Sequence, residues 1–135
     1  MATGTAGTVA RDFQKQMVHY LRKGFTYADD GSTLTVGVVP TGAVVIRAGV
    51  VVSVAFNAGT TNVLDIGTAA DTDGFATDLA LGTVGVIVAD EMATTNDAGP
   101  YTADTTIQAV VDLTGTAATT GTGTIWVEYI LDNDL

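Results

Sequence analysis

Apolar and polar residues alternate with period two over much of this chain, the pattern of strands with one face buried. Over Thr105–Leu113, Ile107, Ala109, Val111 and Leu113 fall on one face, and Gln108, Val110 and Asp112 on the other. Over Thr122–Leu131, Ile125, Val127, Tyr129 and Leu131 oppose Trp126, Glu128 and Ile130. Thr33–Val39 reads as a strand that ends at the turn Pro40-Thr41-Gly42. Ala43–Arg47 is a second, interrupted by Ala48-Gly49, and Val50–Phe56 is a third, with Val50, Val52, Val54 and Phe56 lining one face. Beyond the turn Asn57-Ala58-Gly59, Asn62–Ile66 is a short strand and 67–78 a polar loop. Gly82–Ala89 is the next strand, followed by a long loop over 90–104 that breaks at Gly99-Pro100.

Two pairings follow from local signals. Asp-Gly in the segment Ala28-Asp29-Asp30-Gly31-Ser32 predicts a hairpin joining His19–Tyr27 to Thr33–Val39. The Thr/Gly-rich tip at 114–123 predicts that the last two strands form an antiparallel pair across a flexible loop. Seven or eight short strands separated by turn signals point to an all-β fold, a β-sandwich or barrel, of which a jelly roll is one solution. The segment before them is ambiguous. As a helix, 11–23 would place Phe13, Met17, Tyr20 and Leu21 on one face and Arg11, Lys15, His19 and Arg22 on the other. As a strand, its later half would alternate. The expected division is an N-terminal arm over 1–23, helical or irregular to about Met17 and a strand thereafter, and a sandwich body over 24–135.

Composition supports strands over helices. The chain holds 24 Thr and 18 Val, both β-branched, against two Lys, three Arg and two Glu. With 135 residues it has length for one domain and a real core, and with no cysteine it has no disulfide framework. Only 15% of residues are charged, well below the usual quarter, so much of the surface is expected to be covered by partners. A membrane span is not expected, because the most apolar window, 36–56, contains Pro40, Arg47 and three glycines. Nor do residues 1–10 show the basic and apolar regions of a signal peptide. The net charge of −10 is unevenly placed: residues 1–23 carry +3 and the remainder −13. A basic arm on an acidic body suggests that the two meet different surroundings, and the body should repel nucleic acid and anionic membrane.

No constellation of catalytic residues emerges. Asp71-Thr72-Asp73-Gly74, with Asp65 and Asp78 nearby, offers oxygens of the kind Ca²⁺ prefers, but lacks the remaining ligands of an EF-hand loop and reads as a surface turn. The neighbouring acids Asp29/Asp30, Asp71/Asp73 and Asp90/Glu91 read as solvated turns rather than opposed carboxylates. His19, the single histidine, has neither a nucleophile elbow at Ser32 or Ser53 nor a cysteine to work with. The expectation is a protein without catalytic residues, metal or cofactor. Arg11, Phe13, Lys15, Met17, Tyr20, Leu21, Arg22 and Lys23 form a basic segment interleaved with apolar anchors, better suited to docking on an acidic protein surface than on nucleic acid.

Three stretches resemble a known group: the opening Met1-Ala-Thr-Gly-Thr-Ala-Gly-Thr-Val-Ala-Arg11, the run from Val50 to Thr68 with Asp71-Thr-Asp73 after it, and the closing Gly123-Thr-Ile-Trp-Val-Glu-Tyr129. They are similar to the cement or decoration proteins of tailed bacteriophage heads. The resemblance implies a jelly-roll body, often trimeric, on the capsid exterior, where it bridges subunits of the major capsid protein and lays an arm across them. It carries no catalytic residues. A fibre or tail component of the same virion, and a carbohydrate-binding module, are the alternatives.

Overall fold

Eight strands carry the period-two pattern: β1 His19–Thr26, β2 Thr33–Val39, β3 Val44–Val54, β4 Thr61–Thr68, β5 Ala76–Ala80, β6 Gly85–Val88, β7 Thr105–Thr114 and β8 Thr122–Ile130. Short 3₁₀ turns lie at Tyr27–Asp29 and Glu91–Ala93. The computed structural model describes residues 17–93 and 95–131.

The pairing is nested. β4 pairs with β5, β3 with β6, β2 with β7 and β1 with β8, every pair antiparallel. The chain thus forms one long two-stranded ribbon, bent back between β4 and β5. Further pairing of β3 with β8 and of β4 with β7 closes the ribbon on itself, giving the sheets β1-β8-β3-β6 and β2-β7-β4-β5. Two four-stranded sheets in this order are a jelly roll, as the sequence predicted. The core lies between them, built from the inward alternates: Val45, Val50, Val52, Ile125 and Val127 from one sheet, and Leu64, Ile66, Ile107, Ala109 and Val111 from the other. Phe75 and Leu81, flanking β5, are fully buried with them.

Nested pairing overturns both expected hairpins. β1 and β2 belong to different sheets, and the residues between them cross from one layer to the other. The crossing is held by local caps. Thr26 N–H donates to Asp29 Oδ2 at 2.8 Å, Ala28 N–H donates to the Thr26 hydroxyl, and Asp30 Oδ1 accepts Leu113 N–H at 2.9 Å. The two aspartates therefore anchor a crossover rather than a hairpin loop. β7 and β8 likewise lie in opposite sheets. The segment between them is tied down: Asn57 Oδ1 accepts the N–H groups of Thr119 and Thr120 at 2.8 and 3.0 Å, and the Thr120 hydroxyl donates to the Ala55 carbonyl. Its glycines leave room for aromatic rings. A Cβ on Gly121 would collide with the Phe56 ring, and one on Gly123 would lie 2.7 Å from Phe25, which stacks on Phe56 at 5.3 Å.

Three smaller differences concern β3 and β5. Ala48-Gly49 does not interrupt a strand; β3 runs through both, because Gly49 is where another side chain lies across the backbone, as described below. Irregular register between Val52 and Val54 turns Val54 outward, away from the face shared by Val50 and Val52. β5 falls partly inside the stretch read as a loop, since Ala76-Thr-Asp-Leu-Ala has none of the β-branched density that marks the other strands apart from its one threonine.

Candidate interaction surfaces

Directly opposed residues of an antiparallel sheet share a face, so the register fixes what each layer shows to its surroundings. On the outward face of β1-β8-β3-β6, one row runs Arg22, Trp126, Gly49, Val88 and the next Gly24, Thr124, Val51, Val86. A third runs Tyr20, Glu128, Arg47. Trp126 lies against the backbone of β3: a Cβ on Gly49 would fall 2.5 Å from its ring and even closer to the Ile87 carbonyl. The Arg47 guanidinium sits over the same indole, 5.7 Å from its centre, with Glu128 4.0 Å from its Nε. Val51, Val86 and Val88 are exposed, Val86 to 66%, and so is Val84 just before β6. This face is valine-rich, with two arginines and one carboxylate at its outward strand positions.

The outward face of the other sheet differs. Its rows are Thr33, Val110, Asp65 and Thr35, Gln108, Gly67, with Thr61 opposite Thr114 and Val63 opposite Asp112. Asp65 Oδ1 accepts Asp78 N–H at 2.7 Å, from a residue held at φ 56°. Partial burial, and then the carboxylates of Asp78, Asp73 and Asp112, push the Asp65 pKa above its ordinary value; the Asp78 hydrogen bond opposes this without cancelling it. The surface is threonine-rich and acidic.

The structure divides the docking residues expected from sequence. Arg11, Phe13 and Lys15 lie outside the described residues. Met17 is exposed just ahead of β1. Tyr20, Leu21, Arg22 and Lys23 belong to β1 and are therefore a strand paired with β8, so the 23/24 division runs through that strand. Tyr20 and Arg22 point outward. Leu21 packs against the core beneath Gly37, so much of its apolar surface serves the fold. Lys23 shares the side of Ile125 yet stays exposed at the sheet edge. His19 stacks on Tyr129 with ring centres 5.4 Å apart.

The 65–78 loop is organised by its own backbone: Thr68 N–H donates to the Asp71 carbonyl at 2.7 Å, and Asp71 N–H donates to the Thr68 hydroxyl. Among the described residues no group of three or more His, Cys, Asp or Glu could hold a metal ion. An open depression of about 360 Å³ lies between this loop and the 91–97 segment, lined by Asp71, Asp73, Thr77, Glu91 and Asp97. A second, of about 350 Å³, lies beside Tyr101 and Pro100. Tyr101 donates its hydroxyl to the Asp97 carbonyl, and burial, helped by the Asp97 charge, raises its pKa to about 12. Both depressions are shallow and neither gathers a nucleophile with a base. Sequence reasoning missed the exposed valine face; the alternation Val84, Val86, Val88 was visible, but not which way it pointed.

The fold recurs in phage capsids. A chain in the capsid asymmetric unit of cyanophage Pam1 superposes with a TM-score of 0.60 over 86% of this chain and 84% of its own, at 24% identity. A chain in the capsid of Ralstonia phage GP4 gives 0.60 over 87% and 86%, at 20% identity. A chain in the acid-stable capsid of Helicobacter pylori bacteriophage KHP30 gives 0.59 over 87% and 90%, at 14% identity. No protein-family model matches the sequence, and no curated protein matches it.

Proposed function

We propose that this chain is a structural protein of a bacteriophage virion that binds the outside of the capsid and stabilises the shell by bridging subunits of the major capsid protein. The observation that carries this reading is the extent of the fold match: nearly the whole body superposes on chains from three phage capsid structures, and those chains are covered to a similar degree. Fold alone does not assign a role. The low charge density of the chain and its valine-rich outer face favour a protein that acts by contact.

In this reading the protein is a homo-oligomer, a trimer, and each oligomer touches several coat subunits at once. Individually modest contacts then combine through effective concentration, and opening the shell requires breaking them together. The N-terminal segment, with Arg11, Phe13, Lys15 and Met17, docks on the coat. The protein needs no nucleic acid, membrane or cofactor for this role.

The test is the copy number of this chain in purified particles from its source, relative to the major capsid protein. A number comparable to the coat protein is expected. A few copies per particle would instead identify a fibre or tail component, and none would overturn the virion role. Deletion of residues 1–16 tests docking by the N-terminal segment while leaving β1 whole; undiminished capsid binding would refute it. Deletion of 1–23 would also remove most of β1 and confuse the two effects.

A further inference from the structure

We infer that the outward face of the β1-β8-β3-β6 sheet, centred on Val51, Val86, Val88 and Trp126, is the surface through which one copy of this chain binds another. The inference rests on the homo-oligomer part of the reading above and names the surface responsible.

Three observations carry it. The face is apolar where a solitary protein would be polar: Val84, Val86 and Val88 are 61%, 66% and 46% exposed, and Val51 beside them 37%. Contiguous exposed apolar surface of this kind marks a contact site. Secondly, β6 is an edge strand, Gly85-Val-Ile-Val88, with no charged residue and no proline in it. Protein edges left open to water are ordinarily blunted by such residues. The other edge of the same sheet, β1, carries Arg22 and Lys23.

Charge selects the occupant. The chain has a net charge of −10, so two copies repel over most of their surfaces. The outward face of the opposite sheet carries Asp65 and Asp112, with Asp78 beside them and no cation. The valine face carries Arg22 and Arg47 against Glu128, and Arg47 is already held over Trp126 and beside that glutamate. It is therefore where an acidic copy can approach without facing like charge, and where two guanidinium groups meet the carboxylates it brings. An apolar centre with aromatic and arginine residues matches the composition of interfaces between protein subunits.

The test compares the full chain with Val86→Asp and, as a control, Val38→Asp, which places the same charge at a 52%-exposed valine of the other sheet. Sedimentation velocity over a concentration series reads association, circular dichroism checks the fold, and binding to particles lacking this chain is measured in parallel. The expected result is that wild type and Val38→Asp associate alike, while Val86→Asp needs about tenfold or more protein to reach the same state. Association of Val86→Asp at wild-type concentrations would overturn the inference and leave the oligomer standing. So would intact association with lost particle binding, which would assign the face to the coat. A wild-type chain that stays monomeric would overturn the oligomer itself, whatever its binding to particles.

Discussion

Trp126 rests on Gly49: the indole of one central strand covers the bare backbone of its neighbour, where any Cβ would meet the ring at 2.5 Å and the Ile87 carbonyl closer still. Gly49→Ala must therefore push the indole outward and shift β6 at once. A loss of about 1–3 kcal/mol is expected from such overpacking. Chemical unfolding followed by Trp126 fluorescence reads both effects, since the native emission should also shift as the ring gains solvent. Unchanged stability and emission would show that the seat is looser than described.

Asn57 acts as a clip for the 117–121 segment. Its carbonyl accepts two backbone N–H groups and its amide donates to the Thr119 hydroxyl at 3.0 Å. Asn57→Ala should cost about 1 kcal/mol globally, because the freed groups can turn to water. The local effect should be larger, with hydrogen exchange at the Thr119 and Thr120 amides accelerated well beyond that of the β7 and β8 amides. Equal acceleration everywhere would mean that the segment opens only with the whole domain.

How much of this was legible in the sequence depends on the range of the interaction. β2 was placed to the residue, and β7 and β8 to within one, because inward apolar residues recur at every second position, and that signal is local. Pairing was not legible. Asp29-Asp30-Gly31 carries a hairpin's chemistry, yet Asp30 accepts an N–H from Leu113, distant in the chain, and the segment becomes a crossover. Gly49 and Gly121 looked like breaks in the pattern; each is a space for a ring, Trp126 or Phe56, brought there by tertiary packing. The outward alternation of Trp126 and Glu128 could be read, whereas the valine face beside it could not, since nothing in Val84 to Val88 distinguishes an inner strand face from an outer one.

Asp65 supplies a pH signature. Its pKa is raised in the folded state, so the native chain holds a proton more readily than the unfolded one, and stability falls as pH rises from the ordinary value of 3.8 through the raised one. Asp65→Asn keeps an acceptor for the Asp78 N–H and removes the repulsion from Asp78, Asp73 and Asp112. The variant should be at least as stable as wild type at neutral pH, with a flatter stability profile as pH rises above 3.8. A variant that loses stability at neutral pH would show that the carboxylate's hydrogen bond outweighs its repulsion.

Tyr101 gives the alkaline counterpart. With its pKa raised to about 12 from 10.0, the folded chain keeps the phenolic proton where the unfolded chain releases it. Stability should therefore fall between those two values as pH rises. Tyr101→Phe loses the hydrogen bond to the Asp97 carbonyl but should flatten this decline. Thermal unfolding of both chains across the alkaline range is the measurement, and parallel profiles would dissociate Tyr101 from the effect.

The nested ribbon also has a consequence for synthesis. β8 lies inside its sheet, bonded to β1 on one side and β3 on the other, although it is translated after every other strand. A nascent chain that has not yet reached Thr122 leaves β1 with no strand to bond and β3 open along one side. Of the four ribbon pairs, β4–β5 is closed by the shortest connection and β1–β8 by the longest, so the sequence separations that slow folding are greatest where the sheet is finished. That layer accordingly closes only once β8 has been made, and a product that stops short of β8 cannot complete the layer bearing the valine face. The topology thereby completes the valine face only in copies that have been read through β8.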